Sequence, residues 1–214
     1  MSEWIYGDPM KILPYTLVTL VACGIVFAAP PVQHATFLQW SKKTIVKSPN
    51  ERLQIEVHPI LTDEENHSPV VVRRLVDQHV WRLITLSRAA QTAWSFDSKK
   101  ILVIDQPTAD NYRVLLLSSE GKRAEVDTDK MIRAAAVNLI GPGRAMEFYL
   151  PMFVSWDAKE LVLAVGGTSS NGVNRPMTTY CLGVRVDSNS GKVLATFPET
   201  EPKRQFNSQC RLDP

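Results

Sequence analysis

The sequence predicts a mainly β protein of antiparallel sheets with one short helix near residues 127–140. Three observations predict it. Short runs of branched and aromatic residues recur along the chain, and such residues favour strands. The chain carries 14 Pro and 10 Gly, which suit turns and extended segments better than long helices. One strand-and-turn pattern occurs twice.

The N-terminal part has a different composition. No Asp, Glu, Lys or Arg occurs from Ile12 to Ser41, and Ile12 to Ala29 is almost wholly apolar. Met10-Lys11 precedes this run, and Val26-Phe27-Ala28-Ala29-Pro30-Pro31 ends it. A cation, an apolar run and small residues form the layout of a secretory signal. Met10 makes a better start than Met1, and cleavage after Ala28 fits best. Residues 1–28 are thus read as a signal peptide and 29–214 as a single β-rich domain. Two alternatives stay open. The run is about long enough to span a bilayer, which takes roughly 20 residues, so residues 12–29 retained would anchor the chain. Leu20-Val21-Ala22-Cys23 resembles a lipobox, with Cys23 as the lipidated residue.

Further along, residues 33–50 read as polar and irregular. Leu53–Val57 alternates with period two, as a half-buried strand does. Asp63–His67 reads as a charged loop. Val70–Val72 and Val80–Ile84 read as strands, with Leu75–Gln78 between them undecided. Lys100–Ile104 and Tyr112–Leu117 are the clearest strands. Asp127–Ile140 is the helix: Asp127 can cap it, Ala134-Ala135-Ala136 favours it, and Gly141-Pro142-Gly143 stops it. Strands follow at Phe148–Val154, Leu161–Val165, Tyr180–Val186 and Lys192–Phe197. Gly166–Pro176 reads as a Gly/Ser/Asn-rich loop with the turn pair Asn171-Gly172.

The repeat pairs Trp94-Ser95-Phe96-Asp97-Ser98-Lys99-Lys100-Ile101-Leu102-Val103 with Val154-Ser155-Trp156-Asp157-Ala158-Lys159-Glu160-Leu161-Val162-Leu163. Each continues into a strand and a second turn, Ser119-Glu120-Gly121-Lys122 and Asn189-Ser190-Gly191-Lys192. The aromatic is expected between sheets, the Asp in a tight turn, and the next strand buried. At these residues, over about 75 of 214 positions, the chain resembles the β-propeller repeats of the TolB and WD40-like kind, whose blades carry a Trp-Ser-Pro-Asp-Gly-Lys core. Phe96 stands where that core has Pro, and Ser98 or Ala158 where it has Gly. The resemblance implies a propeller-like arrangement; a β-sandwich is the alternative.

Of three Cys, Cys23 lies in the leader, leaving Cys181 and Cys210 as an even pair for an oxidising compartment. A disulfide between them would staple the polar tail Glu199–Pro214 onto the body. Net charge is only +2, which gives no strong pull toward nucleic acid.

Chemistry-bearing residues are sparse. His58, Asp63, Glu64, Glu65 and His67 cluster within ten positions, but at no metal-ligand spacing, so a solvated loop is expected and no metal or cofactor. There is no Gly-x-Ser-x-Gly around Ser155, Ser169 or Ser170. Gly141-Pro142-Gly143-Arg144 lacks the Lys-Ser/Thr of a phosphate loop. Arg73, Arg74, Arg82 and Arg88 are expected along strand edges, where cations discourage aggregation.

These readings point to an exported, non-catalytic β protein, periplasmic or secreted, that binds a protein or another envelope component. Membrane contact would come only through the N-terminal segment. The expected contact surface is Gly166–Pro176, with Asn171 and Arg175 as polar contacts. The alternative is a secreted hydrolase with a site assembled around His58 and Asp63.

Overall fold

The structure is a computed structural model and describes residues 34–61, 66–109, 111–120, 128–141, 145–170 and 178–198. All of them belong to one compact unit. The chain forms β1 (Thr36–Gln39), β2 (Thr44–Lys47), β3 (Leu53–Val57), β4 (Ile60–Leu61), β5 (Asn66–Arg74), β6 (Val80–Leu86), β7 (Ala89–Trp94), β8 (Lys100–Thr108) and β9 (Asn111–Ser118). Helix α1 (Thr128–Ile140) follows, then β10 (Ala145–Trp156), β11 (Glu160–Ser170), β12 (Thr178–Asp187) and β13 (Val193–Pro198).

The strands make three antiparallel sheets, none closed. The first is the meander β2-β3-β5-β6, with the two-residue β4 also paired to the start of β5. The middle sheet has the order β1-β7-β8-β9, and the third β10-β11-β12-β13. The third sheet is a plain up-and-down ladder. The middle one borrows β1 from before the first sheet, with Thr36 opposite Thr92.

Two apolar cores lie on the two faces of the middle sheet. One holds Ile55, Val57, Val70 and Val72 of the first sheet with Trp94, Ile101, Val103 and Leu117 of the middle one. The other holds Ala93, Leu102, Ile104, Val114 and Leu116 with Phe153, Trp156, Leu161, Leu163 and Val184 of the third sheet, and Ile132 and Ala136 of α1. Successive residues of β8 enter opposite cores, because side chains alternate across a strand. That is why its run Ile101-Leu102-Val103-Ile104 is apolar without a break. Arg133 fixes the helix to two sheets: its Nη2 donates to the Tyr112 carbonyl (2.7 Å), its Nε to Asp129 (2.7 Å), and its guanidinium lies 3.9 Å from the centre of the Tyr149 ring. Gly141, with φ of +108°, ends the helix by donating its N–H to the Val137 carbonyl.

The turn pattern occurs three times. Between β7 and β8, the Ser95 N–H donates to the Lys100 carbonyl and the Lys100 N–H to Ser95 Oγ, while Asp97 Oδ1 accepts from Ser95 Oγ and the Lys99 N–H. Between β2 and β3 the same bonds recur one for one: Ser48 N–H to the Leu53 carbonyl, Leu53 N–H to Ser48 Oγ, and Asn50 Oδ1 accepting from Ser48 Oγ and the Arg52 N–H. The fourth turn residue has positive φ in both, Glu51 at 55° and Ser98 at 61°. Ser48-Pro49-Asn50-Glu51-Arg52 is therefore a third copy, hidden in the stretch read as irregular. The turn between β10 and β11 is two residues shorter, but Asp157 Oδ1 likewise accepts from Lys159 and Glu160. A further bond repeats in all three sheets, from Leu75, Ser119 and Ser188 N–H to the carbonyls of Arg52, Lys99 and Lys159.

The structure corrects several expectations. Residues 33–50 contain β1 and β2, too short for periodicity to reveal. Asn66 and His67 belong to β5 rather than to a loop. Gly166–Ser170 extends β11. Gly167 suits that strand because a Cβ there would meet the Phe148 carbonyl and Tyr180 Oη at 2.0 and 2.5 Å; the absent side chain lets Tyr180 cross and donate to Phe148 O at 2.8 Å. Trp94 and Trp156 are equivalent, each closing its strand opposite Ile101 and Leu161, whereas Phe96 is exposed in its turn. Arg73 is not an edge cation: it lies on β5 between two neighbours and pairs with Glu56. Arg82 does lie on β6, which among the described strands pairs with β5 alone.

Candidate functional site

The hairpin turns of each sheet gather at one end, and bonds between sheets bring the three sets together. The Asn50 N–H donates to Ser98 Oγ at 3.1 Å, joining the first and middle sheets. Lys100 Nζ donates to the Ser188 carbonyl and, at 3.1 Å, to Asn189 Oδ1, joining the middle and third. Burial lowers the Lys100 pKa, against the opposing pull of Asp187 and Asp97.

Between the first two sets of turns opens a cleft of about 610 Å3. Asn50 and Arg52 line it from the first turn, and Asp97, Ser98 and Lys99 from the second. Arg74, His79 and Trp81 enter from the β5–β6 hairpin, and Ser119 and Glu120 from the end of β9. Asp77 grips Arg74 through two bonds of 2.8 and 2.6 Å, and this hydrogen bonding holds the Asp77 carboxyl down at about 2. Lys99 Nζ stands 4.0 Å from Asp97 Oδ2. Burial works to raise the Asp97 pKa, but Ser95 and the Lys99 N–H hold it below the ordinary value. Arg52 makes no side-chain hydrogen bond or ion pair among the described residues. The His79 and Trp81 rings lie 5.6 Å apart at a tilt of 32°, and no acceptor reaches Trp81 Nε1 among the described residues. The cleft thus offers a free guanidinium, a loosely held ammonium, two carboxylates, hydroxyls and an aromatic pair. Such a surface can grip a polar chain by charge, hydrogen bond and stacking.

A second polar cluster occupies the outer face of the first sheet. Glu56, 5% exposed, accepts from Arg73 Nε at 2.5 Å and Nη2 at 3.1 Å, from Gln54 at 2.5 Å, and lies 2.7 Å from His58 Nε2. Arg73 is the main cause that holds the Glu56 carboxyl down at about 2. Glu56 therefore stays ionised near neutrality and acts as the acceptor at the centre of this cluster. Asp63 lies outside the described residues, and among those residues no three His, Cys, Asp or Glu gather as metal ligands do.

Asp105 on β8 is 1% exposed and pairs with Arg113 through Oδ2, with no donor at Oδ1 among the described residues. Burial raises its pKa despite the cation.

Of the residues named from the sequence, Cys181 lies on β12, beside Ala164 on the face of the third sheet turned away from the middle one. Cys210, Asn171 and Arg175 lie outside the described residues. The cleft residues were not named as a site. The signal for them is Ser48-Pro49-Asn50, which has the Pro that Phe96 replaces in the turn between β7 and β8, and Asn where the repeat core has Asp.

No helix among the described residues is long and apolar enough to cross a membrane. No protein-family model, curated protein or solved structure matches this chain.

Proposed function

We propose that this chain is an exported, non-catalytic binding protein of the cell envelope, a propeller-like stack of sheets that receives its partner in the cleft between the first two sets of turns. The observation that carries this reading is the cleft itself: about 610 Å3 walled by turns of two neighbouring repeats, with Arg52 uncommitted among the described residues and the His79 and Trp81 rings side by side at a tilt. Repeat scaffolds present side chains from successive units to one partner in this way. The leader reading places the protein in the periplasm or outside the cell, or tethered by residues 12–29. In that compartment Cys181 and Cys210 would form a disulfide.

The test is site-specific photocrosslinking in cells of the source organism. A photoreactive residue at Asn50 or Ser119 should give one adduct, in the envelope fraction. Arg52→Glu should reduce that adduct by roughly thirtyfold or more, the size expected when disrupting a charge buried in an interface costs about 2–5 kcal/mol. A photoreactive residue at Thr85, on the edge strand β6, should give none. Equal adducts from all three positions, or none from the cleft, would sink the reading.

A further inference from the structure

The two outer sheets present unlike faces. The first sheet turns the Glu56–Arg73 network outward. The outward face of the third sheet is apolar: Ala164 (0% exposed) and Cys181 (8%) are packed by half-buried Met152, Val154, Val162 and Phe197. Among the described residues, no apolar side chain of another sheet or of α1 joins this cluster. The Phe197 ring lies over Gly183, where a Cβ would meet it at 1.8 Å, and Arg185 stands 5.9 Å from the same ring.

We propose that the occupant of this face is the chain's own C-terminal segment, residues 199–214, laid across it as a strap. The proposal rests on the Cys181–Cys210 pairing above, and three observations support it. Pro198, the last residue of β13, is opposite Leu182, one position from Cys181, so the segment sets out beside the cysteine to which it would return. Eleven residues, 199–209, separate Pro198 from Cys210. Extended at about 3.3–3.6 Å each, they reach roughly 18 Å out and back, and the sheet is about 14 Å from first strand to fourth at about 4.8 Å per spacing. The segment is polar except for Phe206 and Leu212, so Phe206, four residues before Cys210, is the side chain that settles among Met152, Val154 and Val162. Closing the strap forms one Sγ–Sγ bond as two S–H bonds break. The two protons and two electrons pass to an external protein disulfide, which becomes a dithiol.

Oxidation of Met152 by dilute hydrogen peroxide reads the face directly, followed by peptide mass mapping of the full chain. Met146, packed toward the inner core, is the internal control. Phe206→Ser keeps both cysteines and should speed Met152 sulfoxide formation by about fivefold, as exposure of a thioether does. Cys210→Ser should do the same, with Met146 unchanged in both. If non-reduced protein from an oxidising compartment alkylates at both cysteines, the bridge and the strap fall together while the cleft reading stands. If the bridge is present and Phe206→Ser leaves Met152 unchanged, the strap alone falls. If Met152 protection in the full chain fades on dilution as a dimer dissociates, the face belongs to a second copy, and the strap is likewise overturned.

Discussion

The middle and first sheets are built from strands of similar length, yet their sequences differ. β8 reads Lys-Ile-Leu-Val-Ile and enters two cores; β3 reads Leu-Gln-Ile-Glu-Val and enters one. On β3 every second residue faces outward, and there Gln54 and Glu56 join Arg73 and His58 in a hydrogen-bonded layer. A strand's periodicity thus records how many of its faces are covered, more than any backbone preference.

The largest test of this contrast removes volume from each kind of face. Leu102→Ala, at a fully buried position on β8, should cost about 2–5 kcal/mol in urea unfolding. Ile45→Ala, at a residue 52% exposed on β2, should cost under about 1 kcal/mol. Equal losses would mean that the outer face of the first sheet is covered after all.

A second test sets two buried carboxylates against each other. Glu56 has four donor contacts and a lowered pKa; Asp105 has one engaged oxygen and a raised pKa. A lowered folded pKa means that the Glu56 contribution is complete above its unfolded value near 4.5 and is lost as pH falls toward about 2. For Asp105 the sign reverses: its charged form is the disfavoured one, so protonation on acidification favours the folded state. Glu56→Gln should cost about 1–3 kcal/mol at pH 7 by stranding Arg73, with the deficit shrinking steadily below pH 4. Asp105→Asn should cost less at pH 7 than Glu56→Gln does. Denaturant midpoints across that pH range check both, and parallel profiles would refute the opposed shifts.

The smallest effect lies in the turns. Glu51 and Ser98 hold a conformation that glycine adopts freely. Glu51→Gly should gain about 0.5–1 kcal/mol. Ser98→Gly should gain less, because Ser98 Oγ also accepts the Asn50 N–H that joins two sheets. A thermal melt of each variant reads the difference; an equal gain would mean that this inter-sheet bond contributes nothing.

Much of this fold was legible in the sequence, and for a common reason. Strands buried between two other sheets announce themselves by composition, so β8 and β9 stand where branched residues are densest. The helix stop at Gly141 was legible because a positive φ favours glycine. The four-residue strands β1 and β2 were not, because so short a run carries no period. β11 runs on through Gly166 and Gly167, where composition signals a loop but a crossing Tyr180 requires the missing side chain. The cleft was illegible for another reason. Its residues come from four turns spread from Asn50 to Glu120, and their convergence depends on how sheets stack, which no local window contains. Only the recurrence of a Ser–Asn/Asp turn pointed there, through Ser48-Pro49-Asn50.

The pairing of β1 with β7 has a bearing on how the chain assembles. Thr36 meets Thr92, and the whole first sheet lies in the stretch between them. Joining partners so distant along the chain carries a loop-closure cost, and such long-range pairings slow folding. While the polypeptide emerges from its N-terminal side, β1 waits without a neighbour until β7 has followed it. By then the β2-to-β6 meander is complete and can zip up by short hairpins. The first of the described strands is thus set in place late, as a clasp that ties a finished sheet to the one behind it.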